Sequence, residues 1–260
     1  PDLLEMLTLL KWPWEFIATC LLWLYFTLGF CLFWMPLFVF QALAKRPGAA
    51  KAQAFQRLIH LYFRSFFCLV RLLCPGLRIT KDLDLASLGG CILVANHRSY
   101  LDPILLNSLF ARHGTVVRRG FFRVPFFGWV LRTAGYLASG KDLEALSRGL
   151  ALLPEFVAQG GVFFIFPEGT RKRDSDPRPG PFKKGAFGIA ARHQLPLALL
   201  AIQGTDRLFP PGRFLFRAAD RVHIHLKLVQ GPETLDPSSA ADHRELAGKA
   251  QKRIGDACDA

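Results

Sequence analysis

The 260-residue chain is short of several things, and each shortage closes a class of function. Its six cysteines, at positions 20, 31, 68, 74, 91 and 258, include no pair at CxxC spacing. That excludes zinc-ribbon and dithiol motifs, and no His/Cys/Asp/Glu cluster has metal-ligand spacing, so no metal is expected. The cysteines read instead as small buried hydrophobes of a reducing compartment. No G-x-S-x-G elbow occurs, which removes the serine nucleophile of that type. No internal repeat is visible, so a solenoid is excluded. No charged residue lies between Phe16 and Phe40, and no acidic residue between Glu15 and Asp82. The chain opens on Pro1 rather than methionine, and some sequence ahead of it is expected to be missing.

What is abundant is positive charge and apolar surface together. Lys plus Arg is 33 against 20 Asp plus Glu, a net charge of +13, yet 51% of residues are hydrophobic and 24 are phenylalanine. A disordered basic tail would lack those aromatics. A nucleic-acid binder would share the charge, but no motif of that kind and no interleaved aromatic and basic sheet face is present, so no nucleic-acid partner is expected. A basic and apolar chain suits an anionic lipid surface.

The uncharged stretch Phe16–Phe40 is long enough, as a helix, to cross a bilayer or to dip into one leaflet. Trp12 and Trp14 flank its start and Trp34 lies near its end, the placement of interfacial aromatics. Pro36 is expected to kink or end the helix. A second helix is expected over about 51–73. Its apolar residues include Phe55, Leu58, Ile59, Tyr62, Phe63, Phe66, Phe67 and Val70, while Arg57, Arg64 and Arg71 recur every seven residues. That pattern fits an interfacial amphipathic helix, and also a solvated face over an ordinary core. Lys45, Arg46, Lys51 and those three arginines all follow the apolar stretch. The positive-inside rule therefore puts residues beyond 41 on the cytoplasmic face. Residues 1–74 are expected to form a membrane-binding helix pair and 75–260 a second, catalytic domain.

From residue 76 the pattern alternates between strand and helix. Cys91–Ala95, Val162–Phe166 and Leu197–Ile202 read as buried strands, Thr115–Arg118 as a weaker one, and the alternation from Val222 to Leu228 as a half-exposed strand near an edge. Helices are expected at about 103–112, 125–134, 142–158, 182–193 and 240–255. The order predicts an α/β fold with a mixed, largely parallel sheet flanked by helices.

Two strand ends carry chemistry. Asn96-His97-Arg98-Ser99-Tyr100-Leu101-Asp102-Pro103 follows the first strand at the sheet edge where α/β proteins place their sites. Either Asp102 caps the next helix with Pro103 at its first position, or Ser99 caps it with Asp102 in the first turn. Both leave His97 in a turn, free to fold back on the carboxylate and act as a general base. A lone histidine there is as often structural. Phe166-Pro167-Glu168-Gly169-Thr170-Arg171 ends the second strand, with Arg171 suited to bidentate phosphate contacts. It could equally be a plain turn.

These two strand ends, in this order, resemble the glycerolipid acyltransferases of the lysophosphatidic acid acyltransferase type. Residues 96–102 fit the family's N-H-x4-D motif and residues 166–171 its second signature. Pro125, Gly128 and Trp129 fit its P-x-x-G-W form, and Lys183-Lys184-Gly185 follows at a typical distance. The resemblance implies transfer of a fatty acyl group from an acyl thioester, on coenzyme A or acyl carrier protein, to a lyso-lipid hydroxyl, with no bound cofactor. It implies His97, Asp102 and Glu168 as the catalytic set, and Arg119, Lys141, Gly169, Thr170 and Arg171 as the acceptor-binding set. The family's F-I-x-R is Ala138-Ser139-Gly140-Lys141 here, and a proline usual in its fourth block is Leu199. These departures leave the acceptor open among lysophosphatidic acid, glycerol 3-phosphate and other lyso-lipids. A non-catalytic lipid-binding protein is the alternative.

Overall fold

The apolar N-terminal run makes one long helical rod in the computed structural model, which describes residues 3–44, 46–82, 85, 87–140, 143–171, 178–234 and 243–259. Helix α1 (Leu3–Leu24) passes into a π-helical stretch, Tyr25–Trp34, and then into α2 (Met35–Leu43). Pro36 does not end the rod. It lies in the first turn of α2, where the wider π register gives way to the α register and a missing N–H is best tolerated.

Helix α3 (Gly48–Leu73) returns along the rod, Phe38 against Phe55 near the break and Phe26 against Phe66 further along. Its apolar residues Phe55, Ile59, Tyr62, Phe63, Phe66, Phe67 and Val70 are buried inside the protein and Leu58 is partly buried, while Arg57, Arg64 and Arg71 are exposed. The interfacial reading of this helix is therefore corrected. Its apolar face already packs on protein, and full burial of side chains such as Phe55 contributes about 1.5–3 kcal/mol each. Most of the exposed large apolar side chains belong to the first rod, with Phe33 at 68% and Phe40 at 70% exposure. Lys11–Leu43 is long and apolar enough to cross a membrane, and only 22% of its most apolar window is buried. The cysteines divide along the same line: Cys74 and Cys91 are buried as expected, but Cys20, Cys31 and Cys68, on these helices, are exposed.

Beyond the helices lies a seven-stranded sheet of order β1-β7-β6-β2-β5-β3-β4. The strands are β1 (Leu77–Lys81), β2 (Cys91–Ala95), β3 (His113–Arg118), β4 (Leu137–Ser139), β5 (Val162–Ile165), β6 (Pro196–Gln203) and β7 (Val222–Thr234). Every neighbouring pair is parallel except β6–β7, so the sheet is mixed and largely parallel. The short β1 and β4, at the two edges, carry no strong apolar run. Helices α4 (Leu101–Leu109), α5 (Phe127–Thr133), α6 (Leu143–Ala151), α7 (Leu153–Ala158), α8 (Gly185–Arg192), α9 (Thr205–Leu208) and α10 (His243–Asp259) connect and cover the strands. One sheet face packs on α1, α3 and α4, the other on α7, α8 and α10. That sandwiching is why all five residues of β2 are buried. Strands β2 to β6 run the same way, so their C-terminal ends share one edge, with β2 and β5 side by side.

Candidate active site

The chain leaves β2 at Asn96, and the side chain of Asn96 takes over where the backbone ladder stops. Its amide donates to the Ile202 carbonyl at 2.9 Å and accepts from the Ile202 N–H at 2.7 Å, so β6 remains satisfied while the main chain turns away. In that turn the carboxylate of Asp102, wholly buried, gathers donors: the Arg98 N–H at 2.7 Å, the Ser99 N–H at 2.8 Å and Nδ1 of His97 at 2.9 Å, all on Oδ2. Helix α4 starts at Leu101 behind Tyr100, which makes no side-chain cap bond, so neither of the two capped starts expected from sequence is formed; Asp102 lies in the first turn and still accepts the Ser99 N–H. A carboxylate can only accept, so Nδ1 of His97 carries the hydrogen and Nε2 is the basic nitrogen. The imidazole is stacked on Phe166, with ring centroids 4.4 Å apart, and stays 17% exposed.

Glu168 comes to the same place from β5. Its Oε1 accepts the His97 backbone N–H at 2.7 Å, and its Oε2 accepts the Gly180 N–H at 2.9 Å. It is 7% exposed, and burial pushes its carboxyl above the ordinary value, an effect the two N–H bonds and His97 oppose. Gly169 adopts φ +70°, and a Cβ there would lie 2.6 Å from the Lys183 ammonium nitrogen. Thr170 is exposed at the tip. The Arg171 guanidinium lies over the ring of Tyr100, 3.2 Å from its centroid, which brings the end of the second motif onto the first.

Sequence reasoning passed over several contributors. The Thr205 hydroxyl, fully buried, donates to Oδ1 of Asp102, and the Arg98 side chain bonds Asp206 Oδ2 through Nε at 3.0 Å and Nη2 at 2.8 Å. Thr205 is set by Gly204, whose φ of +80° and close approach to the His223 carbonyl exclude any side chain. Neither residue stands in an obvious motif. Cys258 lies 3.9 Å from Asn96, and burial raises its thiol to about 11, so it supplies no thiolate near neutrality.

The acceptor-binding set is more dispersed. Arg119 is exposed at the end of β3, with its side chain beside Gly140, two strands from His97 but on the same sheet edge. Lys141 lies outside the described residues. Among the described residues, no group of three or more His, Cys, Asp or Glu side chains is placed to hold a metal ion.

Residues 77–203 match the family model described as Acyltransferase. The chain carries an acyltransferase-family domain. That acyltransferase stretch holds both motifs and stops two residues short of Thr205. A chloroplastic 1-acyl-sn-glycerol-3-phosphate acyltransferase of Brassica napus is 37% identical over 138 residues, covering 52% of this chain and 40% of the relative. A second, from Arabidopsis thaliana, is 32% identical over 175 residues, covering 65% of this chain and 45% of the relative. The chain thus spans less than half the length of these curated relatives. The fold is similar to that of the 1-acyl-sn-glycerophosphate acyltransferase PlsC of Thermotoga maritima, with TM-score 0.72 and 22% identity over 94% of this chain and 95% of that one.

Proposed function

We propose that this acyltransferase moves a fatty acyl group from an acyl thioester, on coenzyme A or acyl carrier protein, to the hydroxyl of a lysophosphatidic-acid-like acceptor in phospholipid synthesis. The observation that carries the reading is the His97 Nδ1–Asp102 bond of 2.9 Å at a sheet edge shared with Glu168. A hydroxyl is a weak nucleophile, so its proton must leave as the new bond forms. Nε2 of His97 takes that proton while the acceptor oxygen attacks the thioester carbonyl. The tetrahedral centre then expels the thiolate, the C–S bond breaks, and the imidazolium returns the proton to sulfur. Asp102 holds the ring tautomer and faces the positive charge that develops. Glu168 joins the two motif turns and positions the acceptor beside His97. Arg171, Arg119 and Lys141 bind its phosphate, and Gly169 and Thr170 shape the turn around it.

The exposed first rod supports docking of the site at a membrane, with residues 1–74 as the membrane-associated unit, its rod facing lipid and α3 backing the rod, and 75–260 as the catalytic domain. The cations that follow the rod favour the cytoplasmic face. A docked enzyme meets the lyso-lipid in the bilayer, from which extracting it would cost about 0.8 kcal/mol per CH₂.

The test is a panel of lyso-lipids and glycerol 3-phosphate against acyl-CoA and acyl-carrier-protein donors, read by mass spectrometry. Acylated product with a phosphate-bearing lyso-lipid is expected. Lipid binding without product from any acceptor would replace the enzyme by a lipid-binding protein.

A further inference from the structure

We infer that the loop 119–127 is a second membrane contact, which enters the headgroup layer of an anionic bilayer beside the first rod. The loop follows β3 and opens with a short 3₁₀ turn, Arg119–Arg123. It is divided sharply into an inner and an outer side. Phe122 and Phe127 turn inward onto the aromatic cluster formed by α2, α3, α5 and the π-helical stretch. The Phe122 carbonyl is fixed by Arg132 Nη1 at 2.7 Å, and Gly128 lets that carbonyl come so close that a Cβ would stand 2.2 Å from it. With the backbone thus held, Phe121, Val124 and Phe126 are left outside, exposed by 45%, 48% and 65%. Phe126 has φ +59°, a conformation bulky side chains seldom adopt. A loop that only had to close over its own core would place polar residues at these three positions.

Two further observations name the occupant. The first is charge. Arg118, Arg119 and Arg123 neighbour the three apolar residues in the chain and are all exposed, and no acidic residue occurs from Pro103 to Lys141. Exposed apolar residues interleaved with exposed arginines match a surface that is apolar within and anionic at its rim. The second is continuity. Phe127 packs edge-on to Phe30 of the first rod at 6.3 Å and to Phe121 at 6.2 Å, so the loop abuts the rod that exposes Phe33 and Phe40. The inference rests on the membrane-docked reading of that rod. It adds that the loop carrying Arg119 is itself drawn into the headgroups, where the acceptor's phosphate lies.

The test uses the full chain with the exposed Cys20, Cys31 and Cys68 replaced by serine. An environment-sensitive fluorophore is placed on a single cysteine introduced by Phe121→Cys, Val124→Cys or Phe126→Cys. Phe40→Cys reports the rod and Arg148→Cys a surface away from it. Thermal melting checks each labelled protein, and three independent loop positions keep the test usable if one fails to fold. On adding phosphatidylcholine vesicles containing phosphatidylglycerol, the loop probes should shift to the blue and brighten severalfold. Spin-labelled lipid should quench them, salt should weaken the response, and the Arg148 probe should stay silent. A silent loop with a responding Phe40 probe overturns the second contact and leaves the docked rod standing. Silence at both overturns the membrane reading and the loop with it.

Discussion

Two strand-end loops on the same edge of the sheet have opposite construction. In the 96–102 turn the N–H groups of His97, Arg98 and Ser99 all end on carboxylate oxygens, and Asn96, Ser99 and Asp102 are buried. In the 119–127 loop the apolar side chains Phe121, Val124 and Phe126 are exposed and the anchoring lies underneath. A base must hold one ring in one orientation, which a closed set of hydrogen bonds does. A lipid contact needs only a surface of the right character, which a rigid backbone with greasy tips supplies. On the proposed reading, chemistry and docking are separate devices on one scaffold, and substitutions should separate them.

The largest expected effect is on the first loop. His97→Ala should lower the turnover number by about 10²–10⁴, the usual range for removal of a general base. Asp102 keeps its bonds from Arg98, Ser99 and Thr205, so melting should change little. Initial rates within tenfold of the parent would sink the mechanism. On the second loop, Gly128→Ala drives a methyl against the Phe122 carbonyl and should cost about 1–3 kcal/mol of stability, seen in denaturant unfolding. Full stability would mean the loop is not anchored as described. Thr205→Val comes next. It removes one donor from Asp102 and should cost about 1.5–3 kcal/mol, the usual worth of a hydrogen bond to a charged group. Its turnover number should fall by less than that of His97→Ala, with the pH profile of turnover shifted. A loss of stability with an unmoved pH profile would make Thr205 a packing residue only.

How much of this was legible in the sequence depended on how local the signal was. The buried strands β2, β5 and β6 stood out because burial on both faces demands unbroken apolar runs such as Cys91–Ala95. The edge strands β1 and β4 face that demand only weakly and escaped notice. His97 and Asp102 could be paired because five residues of turn bring them together. Thr205 is more than a hundred residues from Asp102 and reaches it only through the β6–β2 pairing. The amphipathic pattern of α3 was read correctly as a helix, but a period fixes a face and not what covers it. Protein covers it, through Phe38, Phe26 and their neighbours.

The smallest expected effect bears on Glu168, where the tight loop meets its limit. Its carboxylate closes two turns at once, through His97 and Gly180, yet burial works against the charge those bonds favour. Because burial dominates, the folded-state pKa lies above the unfolded one. The protonated form therefore favours the fold, and that contribution is lost as pH rises through the raised value. Glu168→Gln does not titrate, and its amide nitrogen meets one of the two N–H donors head-on, a mismatch of about 1 kcal/mol. The wild-type protein should thus hold its greatest advantage in melting temperature over the variant in acid. The gap should narrow as pH rises from the ordinary carboxylate range toward neutrality. A gap that widens over that interval would mean that the two N–H bonds outweigh burial and that Glu168 sits in its turn as a stabilised anion.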